Sequence, residues 1–215
     1  MDIVDNALSV KRVKELYEYF INRDWTFNHN SPTIRYQNMV LRKYGRDPID
    51  VYPIANPPVS IAWDLWNIFE KQYPGYKLVH ELTTVNFYPE KFGHIPHYDF
   101  FNDQYVGNED TLKRIIFYCV PEWKSEWGGS TYFYGLWKDN KNEPGDMQEC
   151  QVKPGRLVKF GWDEMHSGSN WDSSSHKRVI LSAYLSKDCP EEILDKIHFY
   201  IWGNKKRKST DLAGW

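Results

Sequence analysis

The sequence predicts an α+β protein whose body is an antiparallel β-sandwich or jelly roll. Two observations carry this prediction: helical patterns come first along the chain, and a run of short strand-like segments follows. A length of 215 residues fits a single domain, 1–215. Within it we expect helical and irregular support over 1–75, the β core over 76–188, and a C-terminal helix with a basic tail over 189–215.

Three segments carry a helical pattern. Residues 9–22, "SVKRVKELYEYFIN", place apolar side chains on one stripe behind a possible Ser9 cap. The second segment, "SIAWDLWNIFEKQ" (60–72), stops at "YPG". The third, "PEEILDKIHFYIW" (190–202), begins with a proline and two acids. Residues 24–58 are rich in Asn, Pro and Tyr, and we expect them to be irregular.

The strand-like segments are short and are separated by Pro, Gly, Asn and Asp. Such a spacing is typical of antiparallel folds in which each strand turns back on its neighbour. The predicted strands cover residues 76–88, 111–120, 130–135, 148–154, 156–162 and 178–185.

Charge and cysteine content indicate which binding partners and which cellular compartment to expect for the protein. The net charge is −2, so the basic excess expected of a nucleic-acid-binding protein is absent, and we expect the basic run 205–208 to be a solvated tail. No apolar run approaches the ~20 residues of a membrane span, and residues 1–10 lack a signal-peptide pattern. Three cysteines without paired spacing favour a reducing compartment. We therefore expect a cytoplasmic protein with no nucleic-acid or membrane partner.

The stretch "GHIPHYDFFND" (93–103) holds three side chains that can bind a metal. On an extended segment, residues two apart project to the same face, so His97 and Asp99 can reach one cavity while His94 points away. A helix would pair His94 with His97 instead, but Pro96 disfavours a helix there. The predicted pair is His97 and Asp99.

A catalytic metal needs a third ligand, and His166 is the predicted one. It follows the strand-like "RLVKFGW" and precedes the loop "SGSN", where a strand end could turn its imidazole into a barrel mouth. Two histidines and one carboxylate form the facial triad of non-haem Fe(II), which leaves open positions for a chelating cosubstrate and O2.

The order of motifs between Thr84 and Leu185 resembles the Fe(II)/2-oxoglutarate dioxygenases, particularly their prolyl 4-hydroxylase-like branch. The resemblance is carried by "NFYPEKFGHIPHYD", "IIFYCVPEWKSEWGGSTYF", "VKPGRLVKF", His166 and "RVILSAYL". It implies a double-stranded β-helix of jelly-roll type, with the N-terminal helices packed against it. It also implies Fe(II) as cofactor and 2-oxoglutarate as cosubstrate, with ascorbate as a possible reductant.

The resemblance also implies how the cosubstrate is held. Its basic anchor corresponds to Arg178, and two tyrosines of its pocket correspond to Tyr118 and Tyr88; both tyrosines could instead be ordinary core residues. A buried carboxylate is well matched by the planar fork of arginine. Lys177 has the opposite parity and should face solvent. Arg114 shares a face with Tyr118, and we expect it to reach water near the sheet end, the alternative being the pocket itself.

The reaction implied by the resemblance is hydroxylation of a C–H bond with O2. Asp99 favours hydroxylation, because relatives that halogenate carry a small residue in its place. The predicted substrate is a prolyl residue in a peptide or protein, with a free amino acid or other small molecule as the alternative. A non-catalytic metal-binding jelly roll is a further alternative, as is a nucleic-acid dealkylase. The dealkylases add a second arginine at the position of Tyr184, which counts against them here.

Overall fold

The structure is a computed structural model that describes residues 1–22, 26–27, 37–40, 68–88, 94–98, 111–134, 146–161, 164–171, 177–190 and 192. Side chains are described throughout these ranges except at 26–27, 37–40, 78–88 and 94–95, where only the backbone is. No helix within the described ranges is long and apolar enough to cross a membrane.

The first predicted helix is confirmed as α1, Val10–Ile21. The Ser9 hydroxyl accepts a hydrogen bond from the backbone N–H of Arg12, as the cap prediction requires. The buried stripe is narrower than predicted, since Val10 is 54% exposed. The described end of the second helix covers residues 68–72, and the chain turns at Gly75 with φ +86°.

The strands form two antiparallel sheets, in agreement with the predicted mainly β fold. The larger has seven strands in the order β1-β9-β6-β11-β4-β3-β2, and the smaller has four in the order β5-β10-β7-β8. The strands are β1 Asp2–Val4, β2 Thr26–Phe27, β3 Gln37–Val40, β4 Lys77–Tyr88, β5 His94–His97, β6 Leu112–Tyr118, β7 Thr131–Tyr134, β8 Met147–Cys150, β9 Leu157–Gly161, β10 His166–Gly168 and β11 Arg178–Ser186.

All six predicted strands are present, but some short ones were not predicted. The expectation of an irregular region over 24–58 is wrong for β2 and β3, because β3 pairs with β4. Strand β1 was also missed, and His166 begins a strand of its own rather than ending β9. The predicted helix 190–202 lies almost wholly outside the described residues.

Strand β11 separates two apolar layers, and its residues 178–185 are all buried. Its odd-numbered residues pack toward the helices with residues such as Leu16, Phe20 and Phe69. Its even-numbered positions face the smaller sheet, where Ile180 packs with Tyr118 and Phe133. The alternation of a strand therefore places every second residue of β6 and β11 in the space between the sheets.

The N-terminal segment is fastened to this core by an ion pair between Asp5 and Arg156. Arg156 is 7% exposed, and its Nη2 lies 3.0 Å from the second carboxylate oxygen of Asp5. Hydrogen bonds from Arg156 hold the pKa of Asp5 below its ordinary value. The folded state therefore gains stability from this pair above pH ~3.9, the ordinary pKa of aspartate, and loses it as the pH falls through the lowered pKa.

Replacing Asp5 with Asn should lower the free energy of unfolding near neutral pH by about 1 kcal/mol or less, because the Asp5 side chain is 43% exposed. Urea unfolding at pH 7 and in acid measures the change, and the difference from the unmodified protein should shrink in acid. The exposed Asp146, replaced with Asn, is the control. A D5N deficit that persists unchanged in acid would contradict this assignment.

Candidate active site

Two predicted ligands, His97 and His166, meet across neighbouring strands. They are paired residues of β5 and β10, although they are distant in the sequence. Their ring centroids lie 4.6 Å apart with the ring planes inclined at 51°. Two imidazoles held this closely on one sheet can point lone pairs at a shared ion.

The orientation of the His166 ring is fixed by its neighbours. His166 is 5% exposed, and its Nδ1 lies 3.0 Å from the carbonyl oxygen of Glu164. Because a carbonyl only accepts, Nδ1 carries the hydrogen, and in the neutral imidazole Nε2 then has the lone pair. Phe133 and Phe160 pack against the ring, with the Phe160 centroid at 5.0 Å. A hydrogen bond from the second ring nitrogen to a carbonyl, as here, commonly orients a metal-binding histidine.

A cavity lies beside the histidine pair, between the two sheets. Its volume is about 400 Å³ when the space at its open side is included. Both sheets contribute to its wall: His97, Thr131, His166, Ser167 and Gly168 come from the smaller sheet, and Arg114, Ile116, Arg178, Ile180 and Ser182 from the larger.

The third predicted ligand, Asp99, lies outside the described residues, and so does the side chain of His94. The backbone of 94–97 is extended, as the choice between ligands requires. The parity argument for pairing His97 with Asp99 therefore stays a prediction. No cluster of three metal-binding side chains occurs within the described ranges, which contain two members of the proposed triad.

Arg178, the predicted cosubstrate anchor, lies in the wall of the same cavity and is 2% exposed. Its guanidinium carbon lies 5.9 Å from the ring centroid of Tyr118 and 5.6 Å from that of Trp171. Its Nη2 lies 3.5 Å from the Thr131 hydroxyl oxygen. A guanidinium enclosed by aromatic faces is a good partner for a buried carboxylate. The adjacent Lys177 is exposed, as predicted.

The two predicted tyrosines lie near Arg178 in different ways. Tyr118 is fully buried, and its hydroxyl donates to the Thr131 hydroxyl at 2.7 Å. Burial raises the pKa of the Tyr118 phenol, so the phenol stays protonated and remains a donor. The backbone of Tyr88 pairs with that of Arg178 across β4 and β11, while the Tyr88 side chain lies outside the described atoms.

The side chain of Arg114 lines the cavity, which was the alternative position, and it is only partly buried, so the expectation that it reaches water stays a prediction. In the register of β6 and β11 it lies opposite Tyr184. Its Nη1 is 3.5 Å from the Tyr184 hydroxyl oxygen, and its guanidinium carbon is 5.5 Å from the ring centroid. The long side chain therefore packs against the Tyr184 ring on the cavity side of the sheet.

Three polar residues of the cavity wall, Thr131, Ser167 and Ser182, were not singled out from the sequence. Thr131 belongs to the motif "GGST", but its position between Tyr118 and Arg178 appears only in the structure. Gly128 and Gly129 before it adopt φ +70° and +80°, which explains the glycine pair. Ser182 lies on the inward face of β11, and the alternation from Arg178 through Ile180 could have identified it.

A family model described as "2OG-Fe(II) oxygenase superfamily" matches residues 83–186. The match spans β4 to β11 and includes the positions of all the predicted ligands. Residues 83–186, just under half of the chain, therefore form a domain of the 2OG-Fe(II) oxygenase superfamily, and the protein is an enzyme of that class. A comparison of the sequence with curated proteins finds no match.

Solved structures with the same fold have low sequence identity to this chain. A prolyl-4-hydroxylase from Pseudomonas putida is 15% identical with a TM-score of 0.57, over 87% of this chain and 92% of that one. A Trichoplax adhaerens prolyl hydroxylase, in complex with a hypoxia inducible factor peptide fragment, is 15% identical with a TM-score of 0.59, over 87% and 83%. The non-haem α-ketoglutarate-dependent epimerase SnoN, from nogalamycin biosynthesis, is 14% identical with a TM-score of 0.57, over 86% and 76%.

The residues of the cavity fit the cofactor and cosubstrate of this superfamily, Fe(II) and 2-oxoglutarate. The paired imidazoles are suitable ligands for ferrous iron. The enclosed guanidinium of Arg178, with the Thr131 hydroxyl beside it, suits a buried carboxylate. The donor set thus offers a metal site near the histidines and a separate carboxylate site near Arg178.

Proposed function

We propose that the protein is a 2-oxoglutarate-dependent hydroxylase in which His97, Asp99 and His166 hold Fe(II). The observation that carries the proposal is the register pairing of His97 with His166, which brings the two imidazoles together in the wall of one cavity. Arg178, from the other sheet, lines the same cavity. Asp99 follows His97 by two positions, so an extended chain would bring its carboxylate to the same face.

The cosubstrate is proposed to lie with its distal carboxylate on Arg178. The Thr131 hydroxyl oxygen accepts hydrogen bonds from both the Tyr118 hydroxyl and Arg178 Nη2, which leaves the Thr131 hydroxyl hydrogen to donate to a carboxylate beside the guanidinium. We assign Tyr88 to the same end of the cavity, because its backbone is paired with that of Arg178. These residues bind and orient a dicarboxylate and exclude water from its buried end.

When bound, Fe(II) and 2-oxoglutarate supply the activation of O2, with one oxygen atom inserted into a C–H bond and the other retained in succinate as CO2 is lost. The chain fixes the geometry of that reaction. The hydrogen bond from His166 Nδ1 to Glu164 sets the direction of the ring, and Phe160 limits its rotation. Ile116 and Ile180 make the wall between the histidines and Arg178 apolar.

The proposed substrate is a prolyl residue in a peptide or protein. Support comes from the two prolyl hydroxylases that share the fold at 15% identity, one of which was solved with a peptide fragment. A free amino acid or other small molecule is the alternative. Support for this alternative comes from SnoN, an epimerase of nogalamycin biosynthesis with a similar TM-score, because it shows that this fold also serves reactions other than prolyl hydroxylation.

The substrate proposal is tested by incubating the purified protein with Fe(II), 2-oxoglutarate, ascorbate and O2. Proline-rich peptides and free amino acids, L-proline included, are offered in parallel, and a gain of one oxygen atom is read by mass. We expect oxygen on a prolyl residue of a peptide and none with the H166A variant. Oxygen on a free amino acid alone would overturn the peptide assignment but not the reaction class.

A further inference from the structure

The cavity carries a second cation whose role the proposed site leaves unassigned. Arg114 and Arg178 lie in the same cavity wall but at different levels of the larger sheet. Tyr184, the partner of Arg114, is six positions after Arg178 on β11, so the backbones of the two arginines are about 20 Å apart along the sheet, and both long side chains reach into the one cavity from there. Ile116, Ile180 and Ser182 line the wall between the two guanidinium groups.

Arg114 lies at the histidine end of the cavity. On its other side, across β6 and β9, it is paired with Phe160. The Phe160 ring packs against His166, with centroids 5.0 Å apart. Arg178 lies at the opposite end, beside Thr131 and Tyr118. One guanidinium is therefore placed near the proposed metal ligands and the other near the distal carboxylate site.

The two arginines at the ends of the cavity also differ in burial. Arg178 is 2% exposed, whereas Arg114 is only partly buried. The Tyr184 hydroxyl, 3.5 Å from Arg114 Nη1, is part of what holds the Arg114 side chain on the cavity side. A fixed, partly buried guanidinium is suited to a carboxylate, which it can meet with charge-assisted hydrogen bonds.

We propose that Arg114 binds the carboxylate at the 2-oxo acid end of the cosubstrate, opposite the carboxylate held by Arg178. The inference rests on the proposed function, because the 2-oxo acid end must lie beside the metal ligands. A dicarboxylate then has a guanidinium at each end, with the apolar side chains of Ile116 and Ile180 along its methylene groups. A carboxylate carried by the hydroxylated substrate is the other source of the same chemistry, and the experiment separates the two.

Three ligands distinguish the ends of the cavity: 2-oxoglutarate, 2-oxopentanoate and 4-oxopentanoate. The second has a methyl group in place of the distal carboxylate, and the third has one in place of the 2-oxo acid carboxylate. Binding of the first two to anaerobic Fe(II) protein is followed by the visible absorption of the chelated 2-oxo acid. Binding of 4-oxopentanoate is followed by competition against 2-oxoglutarate.

Replacing Arg114 with Gln should weaken 2-oxoglutarate and 2-oxopentanoate by about tenfold or more, as expected for the loss of a charge-assisted hydrogen bond. The affinity for 4-oxopentanoate should not change. R114K should recover part of the loss, because it keeps the charge. K113Q is the matched control, since Lys113 is the neighbouring cation on the opposite face of β6. R178Q should show the reverse pattern and spare 2-oxopentanoate.

The inference is overturned if R114Q leaves all three affinities unchanged, or if it weakens 4-oxopentanoate as much as the others. Unchanged affinities with a raised KM for the hydroxylated substrate would assign Arg114 to a substrate carboxylate instead. The proposed function fails separately: in that case the unmodified protein gives no visible absorption with Fe(II) and 2-oxoglutarate.

Discussion

Replacing His166 with Ala is expected to abolish the visible charge-transfer absorption that forms when Fe(II) and 2-oxoglutarate bind anaerobically. Mutating residues that merely orient metal ligands commonly costs about 10–100-fold in metal affinity, so loss of a ligand itself should cost more than about 100-fold. His166 is buried and its Nε2 lone pair is held in place by the bond from Nδ1 to Glu164. The measurement is an absorption titration with Fe(II). Turnover should fall in parallel.

The same result is expected for H97A and D99A, while H94A should keep the absorption. His94 is the matched control because it lies on the same strand, β5, and differs from His97 in parity. Circular dichroism of each variant separates loss of the metal from loss of the fold. Loss of the absorption in H94A, with retention in H97A, would reverse the choice of ligands.

Replacing Arg178 with Gln is the second change with a large expected effect. Truncating one partner of a buried, hydrogen-bonded charge pair costs about 2–5 kcal/mol, which corresponds to a loss of at least ~30-fold in affinity for 2-oxoglutarate. The cost should lie in this range because Arg178 is 2% exposed, so its partner carboxylate would be left without a charge partner at a buried position. Calorimetric titration with 2-oxoglutarate measures the change.

The neighbouring cation provides the control for Arg178. K177Q removes the same charge from an exposed position one residue away, and the 2-oxoglutarate affinity should not change. Affinity for Fe(II) alone should survive in R178Q, since Arg178 lies at the opposite end of the cavity from the histidines. An R178Q protein that binds 2-oxoglutarate as tightly as the unmodified one would remove Arg178 from the cosubstrate site.

The longer elements of this fold could be predicted because their patterns are local. Helix α1 has a cap and a stripe, and β11 has a long apolar run. The short strands could not, because β3 and β10 are formed by pairing with distant segments rather than by their own composition. The three residues of β10, His-Ser-Gly, carry no strand signal of their own.

Site residues could be predicted where the alternation of a strand or a sequence motif determines the position of the side chain. They could not be predicted where contacts between strands determine it. The alternation of β11 correctly placed Arg178 on the cavity face, whereas Lys177 is exposed because it lies before the first residue of a strand that is buried on both faces. The position of Arg114 depends on Tyr184, a residue on another strand that the sequence does not connect to it. Thr131 was missed for the same reason, because its neighbours Tyr118 and Arg178 come from two different strands of the other sheet.

The most direct test of the central claim is a crystal structure of the protein grown anaerobically with Fe(II) and 2-oxoglutarate, with anomalous diffraction recorded at the iron edge. A single iron peak is expected within bonding distance of the ring nitrogens of His97 and His166 and a carboxylate oxygen of Asp99. The distal carboxylate of 2-oxoglutarate is expected on Arg178. An iron peak elsewhere, or one at this cavity that lacks either histidine as a ligand, would contradict the central claim.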